Sequence, residues 1–150
     1  METGTFPVRR AEEKDLPALA LIERTCFSVP WSEGALADTL HSPLAVLLAA
    51  EAPSGEIAGY MGMYLLGEDA DVTNVAVLPA FRRQGIADAI LSAAETVCRE
   101  RGVTALHLEV RSSNDPALRL YEKHGFTRDG VRRRYYKNPA EDAVLMTLHF

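Results

Sequence analysis

A strand, a glycine turn and a long helix follow one another between residues 72 and 102, and this unit limits the possible folds most strongly. Val72 to Val77 is apolar enough for a buried strand, and Pro79 ends it. The spacing predicts a helix from Gln84 to Arg101, with Gly102 as its stop. The residues expected on its buried face are Ile86, Ile90, Ala94 and Val97. A strand that feeds directly into a helix is typical of an α/β domain.

The rest of the chain divides into similar short elements. Two helices are predicted near the start: one opened by Asp15 and Pro17, with apolar residues at helical spacing, and one capped by Ser32. Those apolar residues are Leu16, Leu19, Ile22 and Phe27 in the first helix, and Leu36 and Leu40 in the second. A fourth helix opens at Asn114 and closes at Gly125. The further strands are predicted at Val8–Arg10, Ala45–Glu51, Ile57–Leu66, Thr104–Arg111, Phe126–Tyr136 and Ala143–Phe150, with a hairpin turn at Pro53-Ser54-Gly55. We therefore expect a mixed α/β sheet of about seven strands with four helices.

Size and charge narrow the class of protein. A chain of 150 residues that is 47% hydrophobic fits one domain over residues 1–150. The net charge of -5 disfavours nucleic acid and anionic membranes as partners. The apolar run Leu44–Ala50 is too short for a bilayer, and no signal peptide opens the chain. We expect a cytoplasmic protein that is a monomer or weak dimer.

Neither cysteines nor histidines are spaced as metal ligands. Cys26 and Cys98 are isolated and are expected to be small buried apolar residues rather than a disulfide, with Cys98 near the exposed end of the long helix. The four histidines, His41, His107, His124 and His149, form no HxxxH-type pair. The sequence therefore predicts no metal site.

The turn before the long helix has the properties of a diphosphate site. The first N–H groups of a helix have no partner within the helix, and the helix dipole adds positive charge there. Gly85 lets a ligand approach the backbone, and Ala87 keeps the next position small. The lysine of a P-loop and the G-x-G-x-x-G pattern are both absent. Taken alone, Gly85 is equally compatible with an ordinary glycine at the start of a helix.

Several motifs resemble one enzyme family. The run "RRQGIA" (82–87) is similar to the pyrophosphate loop Q/R-x-x-G-x-G/A of the GNAT (GCN5-related) N-acetyltransferases, and "NVAVLP" (74–79) is similar to their fourth strand. The resemblance implies acetyl-CoA as cosubstrate, with its diphosphate on main-chain donors. The cofactor-binding residues that it implies are Val75, Ala76 and Val77 along the pantetheine arm, Arg83, Gln84, Gly85, Ile86, Ala87 and Asp88 at the loop, and Asn114 at the fourth helix. Asp88 departs from the family pattern, in which a basic residue is common at this position. An acidic side chain beside the diphosphate would weaken its binding.

A narrower group within this family fits better. The runs "FSVPWSE" (27–33), "LEVRSSN" (108–114) and "LYEKHGF" (120–126) resemble the RimI-like enzymes, as do Arg134-Tyr135-Tyr136 and Glu141-Asp142-Ala143 with Met146. Those enzymes acetylate the N-terminal alanine of a small-subunit ribosomal protein. The resemblance covers nearly the whole chain and implies that the partner is the N-terminal segment of a protein, with Phe27–Glu33 as a wall of its groove.

Two residues are candidates for proton transfer. Glu109 lies on the polar face of its strand and matches the proton acceptor for an α-amine, whose pKa of about 7.7–8 requires only a weak base. Tyr121 resembles the family's proton donor to the coenzyme A sulfur. His107 lies on the same strand face as Glu109 and is a candidate for the same water chain. Without the resemblance, Glu109 reads as a salt-bridged acid and Tyr121 as a core residue.

Other functions remain open at this point. The acceptor could be a lysine side chain or a small-molecule amine, or the chain could be a non-catalytic module that binds acyl-CoA. The run Arg132-Arg133-Arg134 is usual for a solvated strand face, with an acidic partner or ribosomal RNA as the alternative.

Overall fold

The computed structural model describes residues 6–150, and the first five residues lie outside the described part. Within that part the chain forms seven strands and four α-helices, as predicted. The strands are β1 (Val8–Arg10), β2 (Ala45–Glu51), β3 (Ile57–Leu66), β4 (Asp69–Val77), β5 (Ala105–Arg111), β6 (Thr127–Tyr136) and β7 (Glu141–His149). The helices are α1 (Leu16–Cys26), α2 (Glu33–His41), α3 (Ile86–Glu100) and α4 (Asp115–Lys123), and short 3-10 turns lie at Glu13–Asp15 and Pro79–Phe81. No helix in residues 6–150 has both the length and the apolar character needed to cross a membrane.

The strands form one sheet in the order β1-β2-β3-β4-β5-β7-β6. All neighbours are antiparallel except β4 and β5, which are parallel. These two strands pair only where Asp69–Asp71 meets Ala105–His107, so that their carboxyl-terminal halves are separate. The sheet therefore splits in its middle, and each strand presents an unpaired edge to the gap.

Helices cover both faces of the sheet. Helices α3 and α4 pack on one face, and α1 and α2 pack on the other. The buried face of α3 differs from the prediction: Leu91 and Cys98 are also buried, whereas Val97 is only partly buried. Cys98 thus lies in the core and not at an exposed end, and burial raises its pKa to about 11. That thiol is correspondingly unreactive at neutral pH.

Most predicted bounds are correct to within three residues. The turn at Pro53-Ser54-Gly55 joins β2 to β3, with Gly55 at a φ of 90°. Phe27 is the exception among the helix residues, because α1 ends at Cys26 and Phe27 has an extended backbone. Strand β4 begins three residues before the predicted start, at Asp69, because only a tight turn separates it from β3. These differences leave the predicted element order unchanged.

Candidate active site

The turn before α3 leaves the helix start open. Gly85 has a φ of 75° and Arg83 a φ of 65°, so that both residues are left-handed. No side chain caps the helix, and the bond from Ala89 N to Gly85 O closes its first turn. The N–H groups of residues 86–88 precede that bond and therefore have no acceptor in the helix. A Cβ placed on Gly85 would meet no atom within 4 Å, so the space beside this residue is open.

The edge of β4 at the gap offers alternate backbone groups. Leu78 donates its amide to Ala58 O at 2.9 Å, and hydrogen-bonded pairs alternate along an antiparallel ladder. The pair Tyr60 and Ala76 is therefore the next bonded one, and Val75 and Val77 turn their backbone groups to the gap. The Val77 carbonyl there accepts a hydrogen bond from Arg82 Nε at 3.0 Å. The backbone N–H and C=O groups of Val75 and Val77 thus face the gap, whereas those of Ala76 face β3.

The open turn and the β4 edge border one cavity of about 590 Å³, here called the first cavity. Its lining includes nine of the ten residues predicted to bind the cofactor: Val75, Ala76, Val77, Arg83, Gly85, Ile86, Ala87, Asp88 and Asn114. Gln84 is the exception, since it does not line the cavity and its side-chain amide lies 3.5 Å from Ala80 O. Asn114 also caps α4, as predicted, by accepting a hydrogen bond from Ala117 N at 3.3 Å.

A second cavity, of about 810 Å³, lies on the other side of the gap. Its walls are the end of α1 with the loop that follows, the gap-facing parts of β4 and β5, and residues 135–139, which are the end of β6 and the turn after it. Six residues line both cavities: Cys26, Phe27, Val75, Asn114, Ala117 and Tyr121. The two cavities therefore meet. Ala117 and Tyr121 of α4 lie at their junction.

Tyr121 occupies that junction with very little exposed surface. The residue is 7% exposed, and its ring packs on Phe126 with 5.6 Å between centroids. Burial raises its pKa to about 12, so the phenol keeps its proton throughout the physiological range. Tyr121 is thus a core residue, as one interpretation of the sequence predicted, and it also contributes to the lining of both cavities.

Glu109 lines the second cavity and is exposed. Burial raises the pKa of Tyr136, and the neighbouring Glu109 carboxylate raises it further. Tyr136 also lines this cavity, and the Arg111 guanidinium lies 4.5 Å from its ring centroid. Sequence reasoning assigned no role to Tyr136 or Arg111, although both lie within runs that carry the family resemblance.

His107 lies apart from the residues that line the two cavities. Its Nδ1 lies 2.9 Å from Thr147 Oγ1, and its Nε2 lies 2.9 Å from Asp69 Oδ1. These partners hold it where β4 and β5 are still paired, and it lines neither cavity. Alternation places His107 and Glu109 on one face of β5, but only Glu109 is far enough along the strand to reach the gap.

The charge of Asp88 is compensated by α4. Its Oδ1 lies 2.8 Å from Lys123 Nζ and 3.0 Å from His124 Nε2. The hydrogen bond from Lys123 holds the pKa of Asp88 below its usual value. The adverse effect on a diphosphate that was expected from the sequence is therefore reduced by a cation within the run "LYEKHGF".

Arg111 fixes the wall formed by residues 137–139. It donates to Pro139 O at 3.0 Å and to Lys137 O at 3.1 Å, and it pairs with Glu141 at 3.2 Å. On the first cavity's side, Arg82 and Cys26 line the wall together, 3.7 Å apart. Arg82 was left out of the predicted site and no sequence pattern singles out Cys26, whose pKa is raised by burial.

Comparison with known proteins gives the same family as the motif resemblance in the sequence. The model of the acetyltransferase (GNAT) family matches residues 16–126. The [ribosomal protein bS18]-alanine N-acetyltransferase of Escherichia coli K12 is 35% identical over 139 residues, which are 91% of this chain and 93% of that protein. The crystal structure of the ribosomal-protein-S18-alanine N-acetyltransferase from Escherichia coli superposes with a TM-score of 0.87 at 34% identity, covering 95% of this chain and 92% of that one.

A more distant structure shares the fold alone. The PaiA N-acetyltransferase from Thermoplasma acidophilum in complex with coenzyme A has a TM-score of 0.82 at 16% identity, over 97% of this chain and 99% of that one. Together with the split sheet and the open turn before α3, the family match over residues 16–126 leaves one conclusion. The chain belongs to the acetyltransferase (GNAT) family.

Proposed function

We propose that this protein transfers the acetyl group of acetyl-CoA to the N-terminal α-amine of a protein, the N-terminal alanine of a small-subunit ribosomal protein. The observation that carries the proposal is the meeting of two cavities at Tyr121, across the gap between β4 and β5. One cavity ends at an open helix start, and the other contains Glu109. A donor and an acceptor entering from opposite sides would meet in the middle of the sheet.

The residues of the first cavity fit acetyl-CoA, which supplies an acetyl group activated as a thioester. The unpaired amides of residues 86–88 and the turn at Arg83–Gly85 bind the diphosphate through main-chain donors. Val75 offers its N–H and C=O, and Val77 its N–H, to the pantetheine arm as an additional strand would. The Val77 carbonyl already accepts the hydrogen bond from Arg82. Asn114 has its amide nitrogen available, since its oxygen caps α4. Lys123 and His124 limit the repulsion from Asp88.

The proton transfers fall to Glu109 and Tyr121. Glu109 takes a proton from the α-ammonium through water, which is a modest task because an α-amine is roughly a tenth neutral at pH 7. Tyr121 gives its proton to the departing thiolate, and its raised pKa ensures that the hydroxyl is protonated when needed. The transfer is direct, within a ternary complex, and alignment of the two reactants supplies most of the acceleration.

The second cavity suits the end of a polypeptide. Its rim carries two exposed apolar side chains on opposite walls, Val29 at 62% and Tyr135 at 41% exposure. Exposed apolar side chains beside a cavity favour a polypeptide over a small polar amine. The relatives named for alanine acetylation of ribosomal protein bS18 support a ribosomal acceptor. The proposal includes a cytoplasmic location, action as a monomer or weak dimer, and no requirement for nucleic acid or metal.

A peptide panel tests the function directly. Alanine-starting peptides with an internal lysine, the same peptides with a blocked α-amine, and polyamines are each incubated with acetyl-CoA. Mass spectrometry then maps the modified nitrogen. We expect acetyl on the α-nitrogen and none on the blocked peptides. Acetylated lysine or polyamine would assign a different acceptor, and thiol release at the background rate with every acceptor would indicate a non-catalytic acyl-CoA module.

A further inference from the structure

A fully buried carboxylate lies beneath the second cavity. Glu23, near the end of α1, is 0% exposed and forms part of the cavity's wall. Its Oε1 accepts a hydrogen bond from the Trp31 backbone amide at 2.8 Å. Its Oε2 accepts hydrogen bonds from Asn74 Nδ2 at 2.9 Å and from the Tyr60 hydroxyl. One side chain thus joins α1 to β3, to β4 and to the loop between α1 and α2.

Glu23 also determines how Asn74 is oriented. A carboxylate that accepts at both oxygens requires the amide nitrogen of Asn74 to face it, so the amide oxygen points elsewhere. That oxygen is buried and has no hydrogen-bond partner within residues 6–150. A buried carbonyl without a partner is unusual in folded proteins and costs stability. The hydrogen bond from Asn74 to Glu23 therefore forms although it leaves the Asn74 amide oxygen without a partner.

We propose that Glu23 is a positioning residue for the acceptor: it holds the loop of residues 27–32 against β4 and so sets the width of the second cavity. Residues Phe27, Ser28, Val29 and Trp31 of this loop line the cavity. The bond from Trp31 N to Glu23 fixes the far end of the loop, just before Ser32 caps α2. The inference rests on the proposed function for the identity of the acceptor.

Glu23 is not arranged to take a proton from the acceptor. Three donors from three different segments already occupy its two oxygens. Glu109, by contrast, is exposed on the opposite strand of the gap. The two carboxylates of this cavity therefore have different tasks: Glu23 supports the wall, and Glu109 handles the proton.

The test compares Glu23→Gln with Glu56→Gln, a matched change in the exposed turn between β2 and β3. An amide cannot accept at both ends, so Glu23→Gln must lose at least one of the three hydrogen bonds. We expect the KM for an alanine-starting peptide to rise roughly tenfold, as for the loss of one charge-assisted hydrogen bond. The turnover number and the Kd for acetyl-CoA should change much less than the KM, because Glu23 does not line the first cavity and Phe27 is the one residue of the loop that does.

The loop has its own reporter, which needs no substrate. Trp31 is the single tryptophan of the chain, so its fluorescence reports on residues 27–32 alone. Quenching by acrylamide should increase in Glu23→Gln and stay unchanged in Glu56→Gln. This measurement keeps the inference separate from the proposed function: a wild-type protein that leaves α-amines unmodified overturns the function, whereas the quenching still tests the loop.

A second variant covers the case in which Glu23→Gln fails to fold. Tyr60→Phe removes one of the three donors and keeps the carboxylate, so it should shift peptide KM and quenching in the same direction by less. The inference is overturned if a folded Glu23→Gln, or failing that Tyr60→Phe, leaves the quenching of Trp31 unchanged. It is equally overturned if acetyl-CoA affinity falls as much as peptide affinity, since that would indicate a general loss of structure.

Discussion

Among single residues, the two side chains proposed to transfer protons lie in different environments. Tyr121 is buried, and the consequent rise of its pKa to about 12 keeps it a proton donor. Glu109 is exposed to the second cavity, where water can carry a proton to it. A protonated hydroxyl beside the leaving thiolate and a solvated carboxylate beside the amine fit direct acetyl transfer to an amine.

Tyr121→Phe should lower the turnover number about a hundredfold, the usual contribution of one general acid, with little change in the Kd for acetyl-CoA. The substituted ring retains the packing on Phe126, so the fold is preserved. Steady-state kinetics and calorimetric titration with acetyl-CoA measure the two quantities. Tyr64→Phe, at a partly buried tyrosine of β3 outside both cavities, is the control. Wild-type turnover in Tyr121→Phe would remove the donor role.

Glu109→Gln should lower kcat/KM most strongly below neutral pH. The α-amine is then mostly protonated, and the reaction depends on a group that removes its proton. The measurement is a pH profile of kcat/KM between about pH 6 and 9 with an alanine-starting peptide. A profile that matches the wild type at every pH would show that Glu109 is not the proton acceptor.

Among the elements, the junction of β4 and α3 carries most of the residues proposed to bind acetyl-CoA. Gly85 allows the left-handed turn, the start of α3 has no cap, and β4 separates from β5 after Asp71. The proposed diphosphate site therefore consists of backbone groups, and its side chains contribute mainly by being small. Substitutions that fill the turn should therefore weaken the binding of acetyl-CoA and leave the binding of the acceptor unchanged.

Gly85→Glu should abolish acetyl-CoA binding, because the new side chain would fill the turn and bring negative charge to the diphosphate. Gly55→Glu is a matched control: Gly55 also has a positive φ, of 90°, and an equally open Cβ direction, but lies in the turn between β2 and β3. Both changes carry the same backbone strain of about 1–2 kcal/mol. Calorimetric titration should detect acetyl-CoA binding to Gly55→Glu only; binding to Gly85→Glu at wild-type affinity would rule out the phosphate site.

The elements themselves were largely predictable from the sequence, because periodicity and turn residues report on local structure. The start of α3 followed from Gly85 and the apolar stripe, and the caps at Ser32 and Asn114 followed from residue type. Contacts between distant segments were not predictable in this way. No spacing reveals that Lys123 compensates Asp88 or that Glu23 holds the Trp31 amide, since these pairs form only when helices and strands pack.

At the scale of the whole molecule, an ion-pair network ties the first strand to the sheet and to the first helix. Asp15 is 5% exposed and accepts hydrogen bonds from Arg9 at 2.7 and 3.0 Å and from Glu12 N at 2.8 Å. Arg9 also pairs with Glu51 of β2 at 2.9 Å. The hydrogen bond from Arg9 is the main reason why the pKa of Asp15 lies below its usual value.

Asp15→Asn should lower the free energy of unfolding at pH 7 by about 1–3 kcal/mol, because the guanidinium loses its charged partner. A depressed folded-state pKa stabilises the protein above the unfolded pKa of about 3.9, and the stabilisation disappears as the pH falls through the folded pKa. The difference from wild type should therefore shrink below about pH 4. Urea unfolding at several pH values measures this difference in the free energy of unfolding. Asp38→Asn, at an exposed position, is the control. A difference that is constant with pH would contradict the assignment.

A crystal structure of the protein with bound coenzyme A tests the proposed cofactor site most directly. We expect the diphosphate against the backbone of residues 83–88, the pantetheine arm between β4 and β5, and the sulfur close to the Tyr121 hydroxyl. Coenzyme A bound at another surface, or a turn before α3 closed against its phosphates, would contradict this proposal.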